Sequence, residues 1–287
     1  MQGLIQSIFD GINDASILLL TSLGLVIIFG LLGVVNMAHG ELIMIGSYVM
    51  YFITSQQKMN FFIGIIAAFI ITAVIGAVIE ILVVKKLYAS PEDTILATYA
   101  LSLLLERIVY YTFGSSAKNV SMPIKGNFTL LGASIPYYNL IVIFISILVL
   151  ISTVLFFFKS KAGLQIRAIT DNRQMSDALG ININKIDTLT FAYGAGLAGI
   201  AGALLAPTIS VVSTLGQQYV NQAFMTVIFG GVSSIFGTSL GAVIIGEAQS
   251  IIANFSNAII AAILMFAIVI IMIRVKPEGL MTKRGSR

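Results

Sequence analysis

The chain has 287 residues, of which 58% are hydrophobic and 10% are charged, and its mean hydropathy is +1.01. Soluble domains carry about 25% charged residues, so this chain has too few charges to cover a water-facing globule of its size. Cysteine is absent and His39 is the single histidine, which excludes a disulfide framework and a thiolate metal site. The composition therefore predicts an all-α integral membrane protein, and we expect no metal and no cofactor.

Apolar stretches separated by short polar breaks follow one another along the chain. They lie at about 16–35, 42–54, 61–84, 94–113, 138–158, 188–207, 221–236, 239–254 and 257–275. Asp10 and Asp14 precede the first stretch without any Lys or Arg, so we expect a retained span rather than a signal peptide. A crossing needs roughly 20 apolar residues, which predicts a polytopic bundle of about 8–9 transmembrane segments in one domain over residues 1–287.

Two of these stretches, 42–54 and 221–236, are too short to cross about 30 Å of hydrocarbon alone. The first adjoins a break that contains Gly40, and the second adjoins Gly230 and Gly231. Backbone unwinds at membrane depth only where protein or a water-filled cavity satisfies it, and interrupted helices of this kind often line transport pathways. We therefore expect a pathway at the two breaks. For the glycine-rich run 194–202 we expect close helix packing instead.

The basic residues are distributed unevenly between the two sides of the predicted bundle. With the C-terminus in the cytosol, twelve of the 16 Lys and Arg are cytoplasmic, three are external and Arg107 lies in or near the membrane. Loop 159–187 is then cytoplasmic, and loop 114–137 is external, with room for a short hairpin. This bias explains the net charge of +4, and because no basic stripe with interleaved aromatics exists, we expect no nucleic-acid partner.

The cytoplasmic loop has a pattern of its own. Apolar residues from Ile166 to Leu179 recur at mostly helical spacings, and Gly180 is a plausible helix end. A short amphipathic helix over 164–180 could lie on lipid or in a groove of a soluble partner. Its polar residues carry both signs, which favours the partner.

Several ionisable residues fall within apolar stretches, where they are costly and are candidates for function. They are His39, Glu41, Glu80, Glu106, Arg107 and Glu247. Glu106 and Arg107 point about 100° apart on a helix, so we expect no pairing between them. For each residue, a structural pair with another helix and a pathway role both remain open, although Glu80 lies near a helix end.

No catalytic constellation is visible in the sequence. The chain has no nucleophile–base pair, no Walker motif and no dinucleotide fingerprint. We therefore expect a transporter rather than an enzyme, driven by an ion gradient or by a separate ATPase.

Separated motifs resemble one known family. They are Leu31 to Glu41 followed by Ile45 to Tyr48, Gly163 to Ala168 followed by Asp171 to Arg173 and Ala178 to Ile181, and Thr188 to Phe191 followed by Gly194 to Gly199. In this order they resemble permease subunits of branched-chain amino-acid and urea ABC importers, and the likeness runs nearly end to end.

Within that family the urea branch is the more similar. The segments 93–103 and 214–232 resemble urea permeases, with departures at Tyr99-Ala100, at Gln218 and at Asn221-Gln222. A neutral substrate needs paired polar atoms without net charge, whereas a zwitterionic amino acid would use charged partners or half-helix ends. The absence of a clear acidic–basic pair at the breaks favours urea or a short amide, with branched-chain amino acids as the alternative. A passive urea channel and an ion-coupled secondary transporter are alternatives from other classes.

The resemblance implies a multi-pass protein of a bacterial cytoplasmic (inner) membrane, in contact with membrane lipid, that works with ATPase subunits, a second related permease subunit and an external binding protein. The expected substrate pathway comprises Asn36, His39, Glu41, Thr98, Ser102, Glu106, Gln217, Gln218 and Glu247. The expected ATPase-coupling residues are Arg167, Asp171, Asn172, Arg173, Leu179 and Gly180.

Overall fold

A computed structural model describes residues 2–88, 90–130 and 133–281. Its helices are α1 (Gln2–Leu32), α2 (His39–Tyr51), α3 (Phe61–Leu82), α4 (Pro91–Phe113), α5 (Tyr137–Lys159), α6 (Lys161–Asp171), α7 (Arg173–Ala178), α8 (Ile183–Leu205), α9 (Leu215–Gly230), α10 (Ile235–Phe255) and α11 (Ala258–Val275). A π-helical turn (Phe52–Gln56) follows α2, and a 3-10 turn (Val84–Lys86) follows α3. Strands β1 (Asn127–Leu130) and β2 (Ala133–Pro136) pair antiparallel, with Asn127 opposite Pro136.

Among the described residues, seven helices are long and apolar enough to cross a membrane, namely α1, α3, α4, α5, α8, α10 and α11. Helices α2 and α9, with 13 and 16 residues, are shorter than a crossing of roughly 20 residues requires. The prediction of an all-α polytopic bundle with two short segments is therefore confirmed. The segment expected at 16–35 is longer than predicted, because α1 begins at Gln2 and packs its first half on α10.

The bundle has two ends that the sequence distinguishes. Lys85, Lys86 and Lys159 mark one, which we call the basic end; the β1–β2 hairpin marks the other, which we call the hairpin end. The hairpin expected within loop 114–137 is confirmed, and the Gln6 side chain holds it by accepting a 3.0 Å hydrogen bond from the Ser134 backbone N–H.

Helix α8 lies at the centre of the bundle and packs on α1, α2 and α3. Glycines make this approach possible: a Cβ on Gly194 would lie 2.7 Å from the Gly24 carbonyl oxygen, and one on Gly199 would lie 2.6 Å from the Ala68 carbonyl oxygen. Small residues at helix interfaces allow close backbone contact in membranes, so the packing role expected for the run 194–202 is confirmed.

The two short helices meet halfway across the bundle. His39, the first residue of α2, donates a 3.0 Å hydrogen bond from Nε2 to the carbonyl of Thr21, which lies ~16 Å from the end of α1 at a rise of 1.5 Å per residue. The first turn of α9 lies against that of α2, because a Cβ on Gly216 would be 2.7 Å from the carbonyl oxygen of Gly40. From this junction α2 runs to the hairpin end and α9 runs to the basic end.

The breaks themselves differ in detail from the sequence prediction. Residues 33–38 form the first break, so Gly40 lies inside the first turn of α2 rather than in the interruption. Helix α9 occupies 215–230, not 221–236, because its polar residues face outward from a helix instead of forming a loop. Gly230 ends that helix, and Gly231, with φ of +112°, forms the second break as expected.

The loop expected to hold one helix over 164–180 holds two. Asn172 has an extended backbone between α6 and α7, and its Oδ1 caps α7 by accepting from the Met175 backbone N–H at 2.9 Å. Capping competes with helix continuation at asparagine, which explains the split. Gly180, with φ of +81°, provides the expected stop.

Helices α8–α11 repeat the order and packing of α1–α4, but they run in the opposite direction across the bundle. Helix α1 packs on α10 as α8 packs on α3, and α2 packs on α3 as α9 packs on α10. The set α1–α4 and the set α8–α11 therefore form an inverted repeat joined by α5–α7. Inverted repeats with discontinuous helices at their interface are a common architecture of transporters.

Candidate translocation site

Helix α4 presents a stripe of polar side chains to the junction of the two short helices. Thr94, Thr98, Ser102 and Glu106 recur every four residues, which places them on one face of a helix. All four are buried, whereas Leu96 and Leu103 on other faces are exposed. The sequence therefore builds one lipid-facing side and one polar inner side into the same helix.

Three residues of the stripe contact different parts of the junction, whereas Thr94 donates to the Leu87 and Ser90 carbonyls near the start of α4. Thr98 Oγ1 accepts a 3.1 Å hydrogen bond from the Met37 backbone N–H in the first break. Ser102 donates to Glu41 Oε1 at 3.0 Å, and Gln217 Nε2 donates to Glu106 Oε2 at 2.9 Å. The stripe thus joins the first break, the first turn of α2 and the first turn of α9 into one site.

Glu41 lies between the N-termini of the two short helices. It is 1% exposed, and its Oε2 has no hydrogen-bond partner among the described residues. This oxygen lies 2.7 Å from the position that a Cβ on Gly216 would take. Helix N-termini carry partial positive charge, so the dipoles of both helices act on this carboxyl group.

Helix α9 exposes amide side chains near its start, at mid-depth. Gln217, Gln218 and Asn221 are exposed on one face, and Thr214 at the N-cap position makes no side-chain cap hydrogen bond. Hydrocarbon cannot satisfy amides at this depth, so the face borders water or another protein. From the sequence, Asn221 stood out only as a departure from a family pattern. The polar run within an apolar segment is the signal that could have identified the exposed face of α9.

Asn36 and His39 hold the first break in place. Asn36 Oδ1 accepts from the Ala38 backbone N–H at 3.0 Å, and both side chains are fully buried. Asn36 Nδ2 and His39 Nδ1 have no partner within the described part of the chain. Their observed contacts are structural, and a pathway role for either stays a prediction.

Glu247 lies outside this group. It sits on α10 against α1, where a Cβ on Gly11 would be 2.6 Å from its Oε2. A neighbouring cavity of about 130 Å³ is lined by Asp14, Ile17, Leu18, Tyr219, Gln222 and Gln249. Arg107 is exposed beside Tyr110 and makes no ion pair with Glu106 in the described structure, as expected.

At the basic end, α7 is tied to the ends of α3 and α8. Arg173 forms an ion pair with the buried Asp187, and its guanidinium lies 5.2 Å from the centroid of the Tyr88 ring. Tyr88 donates to Glu80 Oε1 at 3.2 Å, and Thr188 donates to Glu80 Oε2 at 2.5 Å. Burial, together with the nearby Asp187 and Glu80 carboxylates, raises the pKa of Tyr88, so its hydroxyl stays protonated as the donor.

The remaining coupling candidates are mostly on the surface. Asp171, Asn172, Leu179 and Gly180 are exposed, while Arg167 lies over the Phe158 ring at 5.2 Å. Leu164, Met175 and Leu179 leave 61%, 57% and 74% of their surface exposed at this end. We call these three residues the basic-end apolar patch.

Interrupted helices that meet at mid-depth around polar side chains define a multi-pass membrane transport protein. Residues 7–273 match the family model described as "Branched-chain amino acid transport system / permease component". The chain belongs to this family of permease components.

Three curated relatives illustrate the likeness. The chain is 28% identical to the high-affinity branched-chain amino acid transport system permease protein LivH of Salmonella typhimurium, over 96% of this chain and 95% of the relative. It is 28% identical to BraD of Pseudomonas aeruginosa over the same shares. A probable LivH of Methanocaldococcus jannaschii is 29% identical over 84% of this chain and 78% of the relative. No solved structure matches the chain.

Proposed function

We propose that this chain is the membrane-spanning permease subunit of an ATP-driven importer of branched-chain amino acids in a bacterial cytoplasmic membrane. The observation that carries the proposal is the match to LivH and BraD over nearly the whole chain, combined with a polar junction at mid-depth. Urea, the substrate that segments 93–103 and 214–232 suggested, finds no support among these relatives. Half-helix ends, which a zwitterion would use, lie at this junction.

The exposed amide face of α9 supports a second permease subunit as a partner. Gln217, Gln218 and Asn221 lie at mid-depth without cover from the described residues, and a related subunit facing them would enclose a passage. Each permease then forms one wall of the passage. In this chain α9 lines that wall, and Glu106 of α4 contacts the start of α9. We propose a hetero-dimer of related permeases, as the family resemblance implies.

The basic end supports docking of the ATPase subunits. The patch of Leu164, Met175 and Leu179 is an exposed apolar surface flanked by Asp171 and Asn172, of the kind that fits a groove in a soluble protein. The excess of Lys and Arg near this end is typical of the cytoplasmic side. The external binding protein would then meet the hairpin end.

A chain of contacts offers a route from the ATPase to the junction. Arg173 of α7 pairs with Asp187 of α8, and Ser47 of α2 donates to the Gly202 carbonyl of α8 at 2.8 Å. Movement of α6–α7 on ATP binding would tilt α8 and shift α2, whose first turn lies at the junction. Arg173 then acts by positioning α7, and Asp171, Asn172 and Leu179 act by contacting the ATPase.

Reconstituted uptake tests the proposal. Proteoliposomes that contain both permeases and the ATPase are supplied with the binding protein on the side opposite the ATPase. They should transport radiolabelled leucine, isoleucine or valine only when ATP is present on the side that carries the ATPase. Uptake of urea instead would support the urea branch. Uptake without ATP would indicate a channel, and uptake abolished by an ionophore but independent of ATP would indicate an ion-coupled transporter.

A further inference from the structure

An apolar crevice opens on the outside of the bundle between α3 and α5, two of the helices that are long and apolar enough to cross a membrane. It has a volume of about 490 Å³, and its walls are formed by apolar side chains, among them Phe62, Ile65 and Ile66 of α3 and Leu140, Phe144 and Leu148 of α5. Phe62, Ile66 and Phe144 leave 58%, 61% and 67% of their surface exposed. The crevice is therefore open to the hydrocarbon of the membrane.

Aromatic contacts hold the two walls of the crevice in place. At the hairpin end, the rings of Phe61 and Tyr138 meet edge to face with centroids 6.0 Å apart. Farther across the bundle, the Tyr193 ring of α8 lies 6.1 Å from the Phe69 ring of α3 and 4.8 Å from the Phe156 ring of α5. The crevice is thus preformed, and a ligand can enter it without separating the helices.

The length of the crevice matches an acyl chain of one leaflet. From Leu140 to Leu148 the crevice follows α5 for ~12 Å at a rise of 1.5 Å per residue. One leaflet contributes about 15 Å to a hydrocarbon core that is roughly 30 Å thick. Leu140 lies three residues after Tyr137, the first residue of α5, so the crevice occupies the leaflet at the hairpin end.

Two lysines lie where the walls of the crevice begin. Lys58 precedes Asn60, the N-cap residue of α3, by two residues. Lys125 precedes Gly126, whose carbonyl accepts a 3.1 Å hydrogen bond from the Tyr137 backbone N–H. Both lysine side chains are exposed. Each wall therefore has a cation next to its hairpin end.

The segments that carry these lysines contain no acidic residue. Residues 52–60 and 114–136 include Lys58, Lys118 and Lys125 but no Asp or Glu. The positive-inside bias concentrates Lys and Arg at the basic end, so it does not account for this charge at the hairpin end. Lysines beside a membrane-embedded helix attract anionic lipid headgroups.

We propose that the crevice is a binding site for an anionic phospholipid of the leaflet at the hairpin end. One acyl chain lies between the α3 and α5 walls, and the headgroup phosphate lies between Lys58 and Lys125. The length of the crevice and the two lysines together favour a lipid over a second protein helix, which would need no cations at this position. The site does not depend on which substrate the permease transports.

The absence of tryptophan from the chain allows a site-specific test. In the assembled permease–ATPase complex, Phe144→Trp places a fluorophore in the crevice. Phe266→Trp places one on an exposed side of α11, and the two positions lie ~10 Å and ~12 Å from the hairpin-end starts of their helices. The complex is reconstituted in phosphatidylcholine vesicles with rising fractions of acyl-brominated phosphatidylglycerol or acyl-brominated phosphatidylcholine. Quenching is measured after the emission of the complex with the unmodified chain is subtracted.

The two brominated lipids should quench the crevice reporter unequally. Phe144→Trp should show a preference for phosphatidylglycerol of about 5-fold per lysine, or roughly 30-fold for two, whereas Phe266→Trp should show little preference. The double variant Lys58→Gln/Lys125→Gln should remove the preference. Lys118→Gln, in which the lost ammonium group donated to a neighbouring serine hydroxyl, is the matched control and should leave the preference unchanged.

The remaining outcomes decide against the proposal. Ile66→Trp on the opposite wall repeats the measurement if Phe144→Trp does not assemble. Equal quenching by both lipids at the crevice reporter would overturn the proposal, and so would a preference that survives the loss of both lysines. A crevice reporter that neither lipid quenches, while Phe266→Trp is quenched, would show that protein and not lipid covers the crevice.

Discussion

The contact between Arg173 and Asp187 allows a quantitative prediction. Asp187 is 1% exposed, so an Arg173→Gln variant leaves a buried carboxylate without its cation. Such a loss costs about 3–5 kcal/mol for a fully buried pair. The Arg173 side chain is 44% exposed, and solvent screening lowers the expected cost to about 2 kcal/mol.

A second substitution distinguishes charge from packing. In the Arg173→Gln/Asp187→Asn double variant the stranded charge is gone, so most of the lost stability should return. We expect the midpoint of thermal unfolding in detergent to fall by about 4 °C in the single variant and by less than half of that in the double variant. Size-exclusion chromatography of heated, fluorescently tagged protein measures this midpoint.

Function should respond differently from stability. Both variants lose the tie between α7 and α8, so leucine uptake per ATP hydrolysed should fall in both. Arg167→Gln, whose guanidinium lies over a ring and not beside a carboxylate, is the matched control and should leave the midpoint within about 1 °C. A double variant that is less stable than Arg173→Gln would refute the reasoning, because it would show that Asp187 does not depend on Arg173.

Three further predictions concern the junction and the basic end. Gly216→Val should abolish uptake and lower stability by more than the roughly 1–3 kcal/mol typical of overpacking, because the added atoms meet the Gly40 backbone. Ala100→Val on the exposed face of α4 is the control, and normal uptake in Gly216→Val would contradict the close approach of the two helices. Leu179→Asp should leave the folded permease stable but reduce co-purification of the ATPase. Ser116→Asp near the hairpin end should leave co-purification unchanged, and the reverse result would place docking at the hairpin end. Tyr88→Phe removes a hydrogen bond to a buried carboxylate and should cost about 1.5–3 kcal/mol in the thermal assay, and an unchanged midpoint would argue against the Glu80 contact.

Much of the fold follows from local pattern. Each predicted apolar stretch contains most of one helix, because length and hydropathy suffice to identify segments that need lipid or protein around them. The two short segments were also identifiable, since neither could cross alone. The start of α9 was misplaced because Gln217 and Gln218 resemble a loop in sequence, whereas a helix can present them on a single face.

The site was harder to predict because tertiary packing creates it. Glu41 meets Ser102 across 61 residues of sequence, and Gln217 meets Glu106 across 111 residues. Each of these residues was a candidate because it is polar within an apolar segment, but no local pattern indicates which helices adjoin. Glu247 is also polar within an apolar segment, but it lies outside the junction. Polarity within an apolar stretch therefore identifies candidate residues without showing which of them lie together.

The inverted repeat explains why charge at the junction is one-sided. Gly40 and Gly216 occupy the second positions of α2 and α9, and each approaches the backbone of the other. The next residue in each helix turns to α4, but it is Glu41 in α2 and Gln217 in α9. The backbone of the two halves is therefore alike, while only one half supplies a carboxylate. A junction with two glutamines would suit a neutral substrate, and one with two glutamates would repel Glu106 of α4. The pairing of one carboxylate with one amide leaves Glu106 hydrogen-bonded to a neutral donor, while Glu41 Oε2 has no hydrogen-bond partner among the described residues.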